Sequence, residues 1–309
     1  MKIIFMGTPD FAVPAFQAIV DSRHEILAVV TGPDVARGRG CLVQSTPVKC
    51  LALNENLPVF QPVSLKDPEL HARLREIQTD LYVVVAFRIL PPEMIVIPRL
   101  GAINLHASLL PKYRGAAPIN WALINGERAT GVTVFQIKPT VDTGDILLQE
   151  RIDIQPDDTY GTLAPRLAES GARLLVKALD GLTAGTIRVI PQDNDAATPA
   201  PKIYPEMGKI DWSKPAEEIK FLIHGLSPIP GAYTFFGDRR LKILKATFEN
   251  NVYPDVPGTI VCRQKAGLAI QTGRGLLKPT ELQLEGRKPL SIAEFLCGFS
   301  GQVGDRFAS

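Results

Sequence analysis

The sequence predicts an α/β protein with a doubly wound, mostly parallel β-sheet covered by helices on both sides, followed by a small β-barrel domain. Three observations predict it. Over the first two hundred residues, short apolar runs alternate with amphipathic segments, as in βαβ units. A segment rich in Pro and Asp, residues 189–204, then interrupts this alternation. Beyond it, short strand-like runs separated by turn residues recur roughly every ten residues, which is typical of a small barrel.

The elements of the first domain, residues 1–188, follow from hydrophobic periodicity. Continuous apolar runs predict parallel strands buried on both faces, and the two latest runs alternate more cleanly, which favours antiparallel pairing at an edge. The predicted strands are Lys2–Met6, Glu25–Val30, Leu81–Ala86, Ala102–His106, Gly131–Ile137 and Ile146–Ile154. Helical spacing of apolar residues predicts helices over Ala12–Val20, Pro68–Ile77 and Thr162–Leu179.

The second domain is predicted to occupy residues 205–309, after a linker at 189–204 that carries three prolines. It opens with a helix-like stretch, Pro215–His224, and continues with short strands. These are Gly231–Phe236, Arg240–Phe248, Gly258–Arg263, Leu268–Thr272 and Gly275–Leu284. Their length and turn-rich spacing indicate a small β-barrel.

The composition narrows the class of protein. The 309 residues are 45% hydrophobic and 21% charged, as in a soluble globular protein with a sizeable core. No run is long enough to span a membrane or resembles a signal peptide, so we expect a cytoplasmic protein. The four cysteines form no CxxC pair, so we expect reduced thiols and no metal site. Residues 205–309 carry 14 Lys and Arg against 11 Asp and Glu, which permits a nucleic-acid partner without proving one.

Three polar residues are the main candidates for catalysis. Asn104 and His106 lie two positions apart in a predicted strand, so their side chains leave the same face. Both can donate to a developing oxyanion, and the carboxylate of Asp142, in a Gly-bearing turn between two strands, could orient the imidazole and favour its protonated form. The alternative is a satisfied core histidine beside a turn. Because the chain lacks a G-x-S-x-G nucleophile elbow, we expect direct transfer between two bound substrates.

A Gly-rich segment, Pro33–Gly40, carries Arg37 and Arg39 and leads into a long extension. It is either an ordinary surface loop or a loop that binds phosphates. The turn Gly7–Asp10 follows the first strand but lacks the G-x-G-x-x-G spacing of a dinucleotide site.

Two segments resemble a known family. Asn104–Pro118 is similar to the N-x-H-x-S-L-L-P-x-[YFW]-R-G-x-x-P signature of the folate-dependent formyltransferases, and Asp142–Asp145 resembles that family's second motif. Phe5–Phe11, Pro33–Lys49 and Ile210–Ser213 resemble the members that act on initiator methionyl-tRNA. The resemblance covers nearly the whole chain, including its C-terminal domain. It implies a Rossmann-like catalytic domain, an OB-like C-terminal domain that binds tRNA, and 10-formyltetrahydrofolate as the formyl donor.

The resemblance also implies roles for individual residues. The catalytic residues would be Asn104, His106 and Asp142. The folate-binding residues would be Ser108, Leu109, Leu110 and Pro111, together with Phe87, Arg88 and Ile89. The tRNA-binding residues would be Arg37, Arg39, Lys112, Arg114, Arg239, Arg240 and Lys242. No metal is expected, and we expect a monomer.

The chain departs from the family pattern at two positions that matter below. Arg88 stands in place of a glycine close to the expected pterin pocket, so we expect its side chain to turn outward while the backbone contacts the pterin. His224 stands where the family typically has arginine. The rival functions are formyl transfer to an amino sugar or to glycinamide ribonucleotide, hydrolysis that releases formate, and RNA binding without catalysis.

Overall fold

The computed structural model describes residues 1–37, 42–251, 253–265 and 267–308. Its internal contacts divide the chain into two compact units. The first unit comprises residues 1–118, 129–153 and 164–200, and the second comprises residues 119–128, 154–163 and 201–309. The predicted linker at 189–204 contains a short 3-10 turn, Asn194–Ala196, and a two-residue strand. The domain boundaries drawn from the sequence remain a prediction.

The bounds of the elements are as follows. The strands are β1 Lys2–Gly7, β2 Glu25–Val30, β3 Val35–Arg37, β4 Leu42–Gln44, β5 Val59–Phe60, β6 Leu81–Val85, β7 Ala102–His106, β8 Arg114–Gly115, β9 Ala129–Gln136, β10 Ile146–Asp153, β11 Pro199–Ala200, β12 Ala232–Phe236, β13 Arg239–Glu249, β14 Ile260–Gln264, β15 Gly267–Gln271, β16 Leu276–Leu284 and β17 Leu290–Ser291. The helices are α1 Val13–Val20, α2 Pro47–Asn54, α3 Pro68–Glu76, α4 Pro92–Ile95, α5 Pro118–Ile124, α6 Tyr160–Ala184, α7 Ala216–Leu226 and α8 Ile292–Leu296.

The first unit is built on a sheet with the strand order β10-β9-β7-β6-β1-β2-β5. The strands β7, β6, β1, β2 and β5 are mutually parallel, and β9 joins β7 in the antiparallel sense. Pairing of β9 with β10 is also antiparallel, so the non-parallel pairs lie at one edge. The sheet grows outward from β1 in both directions, which creates a topological switch point beside it. The predicted doubly wound, mostly parallel sheet is confirmed.

Local sequence explains why these elements form. The five residues of β6, Leu-Tyr-Val-Val-Val, are all buried, as expected for a central strand covered on both faces. Helix α3 begins at Pro68, whose missing N–H costs nothing in the first turn, and the side chain of Asp67 accepts a hydrogen bond from the amide of Glu69 at 3.0 Å. Apolar residues of α3 pack with β1, β2 and β6 in one core cluster.

The second unit contains an antiparallel sheet in the order β12-β13-β16-β15-β14, with β17 added to β16. The C-terminal segment, residues 305–308, connects the two ends of this order. The amide of Ala308 donates to Phe235 on β12, and the amide of Ile260 on β14 donates to Asp305. The sheet therefore closes into the small barrel that the sequence predicts, with Trp212 fully buried in its core.

His224 lies buried inside the second unit, with a backbone carbonyl facing each ring nitrogen. Nδ1 is 3.1 Å from the oxygen of Asp158, and Nε2 is 3.1 Å from that of Ala246. Burial lowers the pKa of His224 and the charge of Lys220 lowers it further, while the two carbonyls and Asp157 act in the opposite direction.

This depressed pKa predicts a dependence of stability on pH. Below the ordinary value of 6.5, the unfolded chain takes up the proton before the folded chain does. The contribution of His224 to the free energy of unfolding should therefore be constant above that value and decrease as the pH falls through it, by at most about 1.4 kcal/mol per pH unit. His224→Gln should flatten this dependence in urea unfolding at about pH 7.5 and 5.5. Burial also lowers the pKa of His24, but His24 is present in both proteins and its effect cancels. Equal slopes in the two proteins would contradict the prediction.

Among the residues that the structure describes, no helix has both the length and the apolar character needed to cross a membrane.

Candidate active site

Strand β7 carries the first two candidate residues to one edge of the main sheet. It lies between β6, to which it is parallel, and β9, to which it is antiparallel. Asn104 and His106 flank Leu105, so the alternation of the strand turns both toward the same face. His106 is the last residue of β7 and therefore lies at the carboxyl edge of the parallel strands, where open α/β sheets bind ligands.

The imidazole of His106 is buried, and its two nitrogens have different surroundings. Nε2 lies 2.8 Å from the backbone oxygen of Tyr113, and since a carbonyl only accepts, this nitrogen donates. Nδ1 lies 3.8 Å from Oδ2 of Asp142. The ring also meets the edge of Phe135, with centroids 6.4 Å apart. Tyr113 thus fixes the proton on Nε2, and Nδ1 faces the carboxylate.

Asp142 lies in the turn between β9 and β10, and its side chain is only 11% exposed. Its φ of +52° is in the left-handed region, which residues other than glycine rarely adopt. Oδ2 accepts a hydrogen bond of 2.8 Å from the amide of Gly115. The carboxylate is therefore oriented by the backbone of the loop after β7 and points toward His106.

Asn104 supplies an acceptor that the fold leaves unused. Its Oδ1 is buried and has no hydrogen-bond partner among the described residues. A buried polar atom without a partner is costly unless ordered water or a bound molecule satisfies it. Together, an amide, an imidazole and a carboxylate at one edge can stabilise an oxyanion and pass a proton.

The predicted folate loop, Ser108–Pro111, is tied tightly to β9. Oγ of the fully buried Ser108 donates to the carbonyl of Lys112 at 2.7 Å, while Thr133 donates to the carbonyl of Ser108 at 2.6 Å. The amide of Leu110 donates to Thr133 Oγ1 at 3.2 Å. The side chain of Ser108 therefore supports the loop from inside the unit.

The second predicted folate segment, Phe87–Ile89, follows β6. The guanidinium of Arg88 donates to the carbonyls of Pro62 and Val63, both at 2.9 Å, and lies over the ring of Phe87. Burial lowers the pKa of Arg88. Ile89 is 71% exposed. The guanidinium of Arg88 is thus hydrogen-bonded to the segment after β5. The next residue in the sequence, Ile89, exposes its apolar side chain.

The residues predicted to bind tRNA in the first unit differ in their surroundings. Arg39 lies outside the described residues, and Arg37 ends β3. Lys112 is exposed. Arg114 is engaged within the unit, because its guanidinium donates to Oε1 of Gln192 at 2.7 and 3.1 Å and to Oδ1 of Asn194 at 2.8 Å.

Two of the three predicted tRNA residues of the second unit, Arg240 and Lys242, share one face of its sheet. Tyr233 pairs with Lys242 and Phe235 with Arg240 across β12 and β13, so these four side chains lie on the same side. The guanidinium carbon of Arg240 lies 3.7 Å from the centroid of the Tyr233 ring. We call these four residues the basic–aromatic face. The exposed Arg239 is paired with Phe236, so its side chain leaves the opposite side of the sheet, at the start of β13.

Sequence reasoning missed three groups that organise the site. They are the carbonyl of Tyr113, the amide of Gly115 and the side chain of Gln192, which donates to the carbonyls of Asp142 and Gly144. Gly115 has a φ of +128°, which favours glycine, so the glycine in the sequence was the one available signal for this group. For the backbone carbonyl and for Gln192, no local pattern in the sequence pointed to the site.

Within the described part of the chain, no group of three His, Cys, Asp or Glu side chains could hold a metal ion. The expectation of a site without metal remains a prediction.

Comparisons with known proteins match both parts of the chain. A family model described as "Formyl transferase" matches residues 1–179, and one described as "Formyl transferase, C-terminal domain" matches residues 202–300. The methionyl-tRNA formyltransferase of Alkaliphilus oremlandii is 43% identical over 306 residues, 99% of each chain. That of Moorella thermoacetica is 47% identical, covering 99% of this chain and 98% of its own.

A solved structure of similar fold is the N-formyltransferase of Helicobacter canadensis, in complex with folinic acid and dTDP-3-aminofucose. It has a TM-score of 0.68 and 21% identity, over 90% of this chain and 98% of its own. At that identity the likeness concerns the fold alone. The family model covers more than half of the chain, and the relatives are well above 30% identical over nearly its whole length. The chain belongs to the formyl transferase family.

Proposed function

We propose that this enzyme transfers the formyl group of 10-formyltetrahydrofolate to the α-amino group of initiator methionyl-tRNA, giving formylmethionyl-tRNA for translation initiation. The observation that carries the proposal is the sequence identity of 43–47% to methionyl-tRNA formyltransferases over 99% of this chain. The similarity includes both the part that holds the candidate active site and the C-terminal part.

The reaction forms one bond and breaks one. The α-amine attacks the formyl carbon and gives a tetrahedral intermediate with a negative oxygen. Collapse of the intermediate breaks the bond to N10 of the folate, and the proton lost by the amine passes to that nitrogen. A free α-amine titrates near about 7.7–8.0, so a fair fraction is neutral at pH 7 and the nucleophile needs little activation. Stabilising the oxyanion and moving the proton are the harder tasks.

The three candidate residues fit these tasks. The amide NH2 of Asn104 and, in protonated His106, the N–H at Nδ1 would donate to the oxyanion, and one such donor is typically worth about 2.7–4 kcal/mol. The buried, unpartnered Oδ1 of Asn104 adds a second role, since it offers an acceptor to a substrate N–H while the NH2 of the same amide donates. Asp142, 3.8 Å from Nδ1 of His106, would hold the imidazole and relay the proton, directly or through water.

The folate is proposed to lie between Ser108–Pro111 and Phe87–Ile89. The exposed side chain of Ile89 offers an apolar contact for a pterin ring. Arg88 would not fill that space, because its guanidinium is bound to the carbonyls of Pro62 and Val63. This contact supports the proposal that the backbone, and not the arginine side chain, meets the pterin.

The tRNA is proposed to contact Arg37, Arg39, Lys112, Arg114, Arg239 and the basic–aromatic face. Aromatic rings stack with unpaired bases, and arginine and lysine neutralise phosphates, so such a face suits single-stranded RNA beside a duplex. The contact of Arg240 with Tyr233 supports the assignment, because it places a cation directly over an aromatic ring on this face. We also propose a cytoplasmic location and a monomer.

Removing the charge of Arg239 should weaken tRNA binding in a salt-dependent way. For Arg239→Ala we expect a higher KM for methionyl-tRNA and a fall of about one in the slope of log K against log salt, with kcat unchanged. Filter binding of tRNA at several salt concentrations measures the slope. Lys265→Ala removes an exposed cation of the same unit from the hairpin of β14 and β15 and should keep the wild-type slope. Equal slopes for wild type and Arg239→Ala would contradict the assignment.

The proposed function is tested by mass spectrometry of methionyl-tRNA incubated with the enzyme and 10-formyltetrahydrofolate. The expected product carries one added formyl group on the methionyl amine, and tetrahydrofolate is released in equal amount. Parallel reactions replace the tRNA with a nucleotide-linked amino sugar, with glycinamide ribonucleotide or with water. Formylation of one of these small acceptors without the tRNA, or formate release alone, would overturn the proposal in favour of the corresponding rival.

A further inference from the structure

A segment distant in sequence lies along the candidate active site. We call residues 190–200 the strap. The amide of Tyr113 donates to Oγ1 of Thr198 and that of Arg114 donates to its carbonyl, both at 2.9 Å. Strand β11 of the strap pairs with β8, whose Gly115 binds Asp142. The strap therefore supports the same short loop that holds both His106 and Asp142.

Gln192 is the residue of the strap that reaches Asp142 itself. Its Nε2 donates to the carbonyl of Asp142 at 2.9 Å and to that of Gly144 at 2.6 Å. Its Oε1 accepts from two nitrogens of Arg114. Both ends of the amide are thus used. The opposite orientation would set its oxygen against two carbonyls and its NH2 against a guanidinium, so the contacts fix one orientation.

These contacts act on a turn whose shape needs support. The φ of +52° at Asp142 is a conformation that a residue with a Cβ adopts only where its surroundings impose it. Gln192 binds the carbonyls on both sides of Thr143, and Gly115 binds the carboxylate. The backbone and the side chain of Asp142 are therefore held from two directions, which sets the 3.8 Å approach of Oδ2 to His106.

We propose that Gln192 is a positioning residue for the reaction: it holds the Asp142 turn so that the carboxylate faces Nδ1 of His106. The inference rests on the proposed function, in which His106 and Asp142 act in formyl transfer. Gln192 reaches neither side chain of this pair, and its effect passes through the backbone of the turn.

Two variants separate the donor end of the amide from the acceptor end. Gln192→Leu removes both. Gln192→Glu keeps an acceptor for Arg114 but places carboxylate oxygens against the carbonyls of Asp142 and Gly144. We expect both to lower kcat by about 10- to 100-fold, as for a misplacement of about 1 Å at a reacting group, with KM for either substrate changed less than about threefold. Asn194→Ala, the matched control, removes only the 2.8 Å bond to Arg114 and should keep kcat within about twofold.

A double-mutant cycle with Asp142→Ala tests whether Gln192 acts through Asp142. In that background Gln192→Leu should lower the residual kcat by less than about twofold, because the group it positions is absent. An equal fall in both backgrounds, or a rise in KM with kcat unchanged, would overturn the inference.

Hydrogen exchange provides a readout that does not need activity. Gln192→Leu should speed exchange of the Gly115 amide, which donates to Asp142, while amides of the central strand β6 keep their protection. Unchanged exchange at Gly115 would overturn the inference whatever the kinetics. A wild-type enzyme that fails to formylate methionyl-tRNA would instead overturn the proposed function, and the exchange data would still decide whether Gln192 holds the turn.

Discussion

His106→Ala should lower kcat by about 10²- to 10³-fold while leaving the KM for methionyl-tRNA and the affinity for folate nearly unchanged. The imidazole makes an interaction realised mainly in the transition state, and the loss of one oxyanion donor has an effect of this size. Single-turnover formylation, with each substrate's affinity measured separately, distinguishes this result from a binding defect. A normal kcat in His106→Ala would show that His106 is not a catalytic residue.

The control for this prediction is a second buried histidine. His71 also directs Nε2 at a backbone carbonyl, that of Leu65, at 2.7 Å, but it lies on α3. His71→Ala deletes the same ring and the same kind of hydrogen bond. It therefore measures the loss of folding stability that the removal of a buried histidine causes by itself. We expect the folded His71→Ala enzyme to have the same kcat as the wild-type enzyme. Equal losses of kcat in the two variants would mean that the His106 effect is structural.

The sequence was sufficient for most of the fold because its strands carry strong local signals. The runs at Glu25–Val30 and Ala102–His106 were predicted with the bounds that the structure has. The shorter elements were missed. Helix α2 begins after Thr46, whose side chain caps the amide of Lys49 at 3.1 Å, and the sequence there reads equally well as a loop with a proline. Helix α8 carries a complete capping box, Ser291 and Glu294, and this signal could have revealed it.

The candidate site likewise contains residues that the sequence could predict and residues that it could not. Asn104 and His106 share a face because a strand alternates, and Asp142 could be associated with them because its turn links neighbouring strands. Those relations follow from periodicity and topology. The contact of Gln192 with Asp142 spans 50 residues and joins a side chain to a backbone carbonyl. Nothing in the local sequence encodes such a bond, since every residue except proline offers the same backbone groups.

Gly144→Ala should be the most damaging single-methyl change in the first unit. A Cβ at this buried position would lie 1.5 Å from the carbonyl oxygen of Gln136, which is backbone and cannot rotate away. The turn must therefore separate from β9, breaking the 2.9 Å bond from the amide of Gln136 to the carbonyl of Asp145. Overpacking typically costs about 1–3 kcal/mol, and this contact should reach at least the upper end of that range.

The same displacement should also lower the reaction rate, because Gly144 lies two residues after Asp142 and its carbonyl accepts a hydrogen bond from Gln192. We expect kcat of the folded enzyme to fall by about 10²-fold, together with a lower urea midpoint. Gly298→Ala is the matched control. It adds the same methyl group where no atom lies within 4 Å, and it should change neither quantity appreciably. If Gly144→Ala instead matched the control in both stability and kcat, the close approach of this turn to β9 would be wrong, and with it the geometry that brings Asp142 to His106.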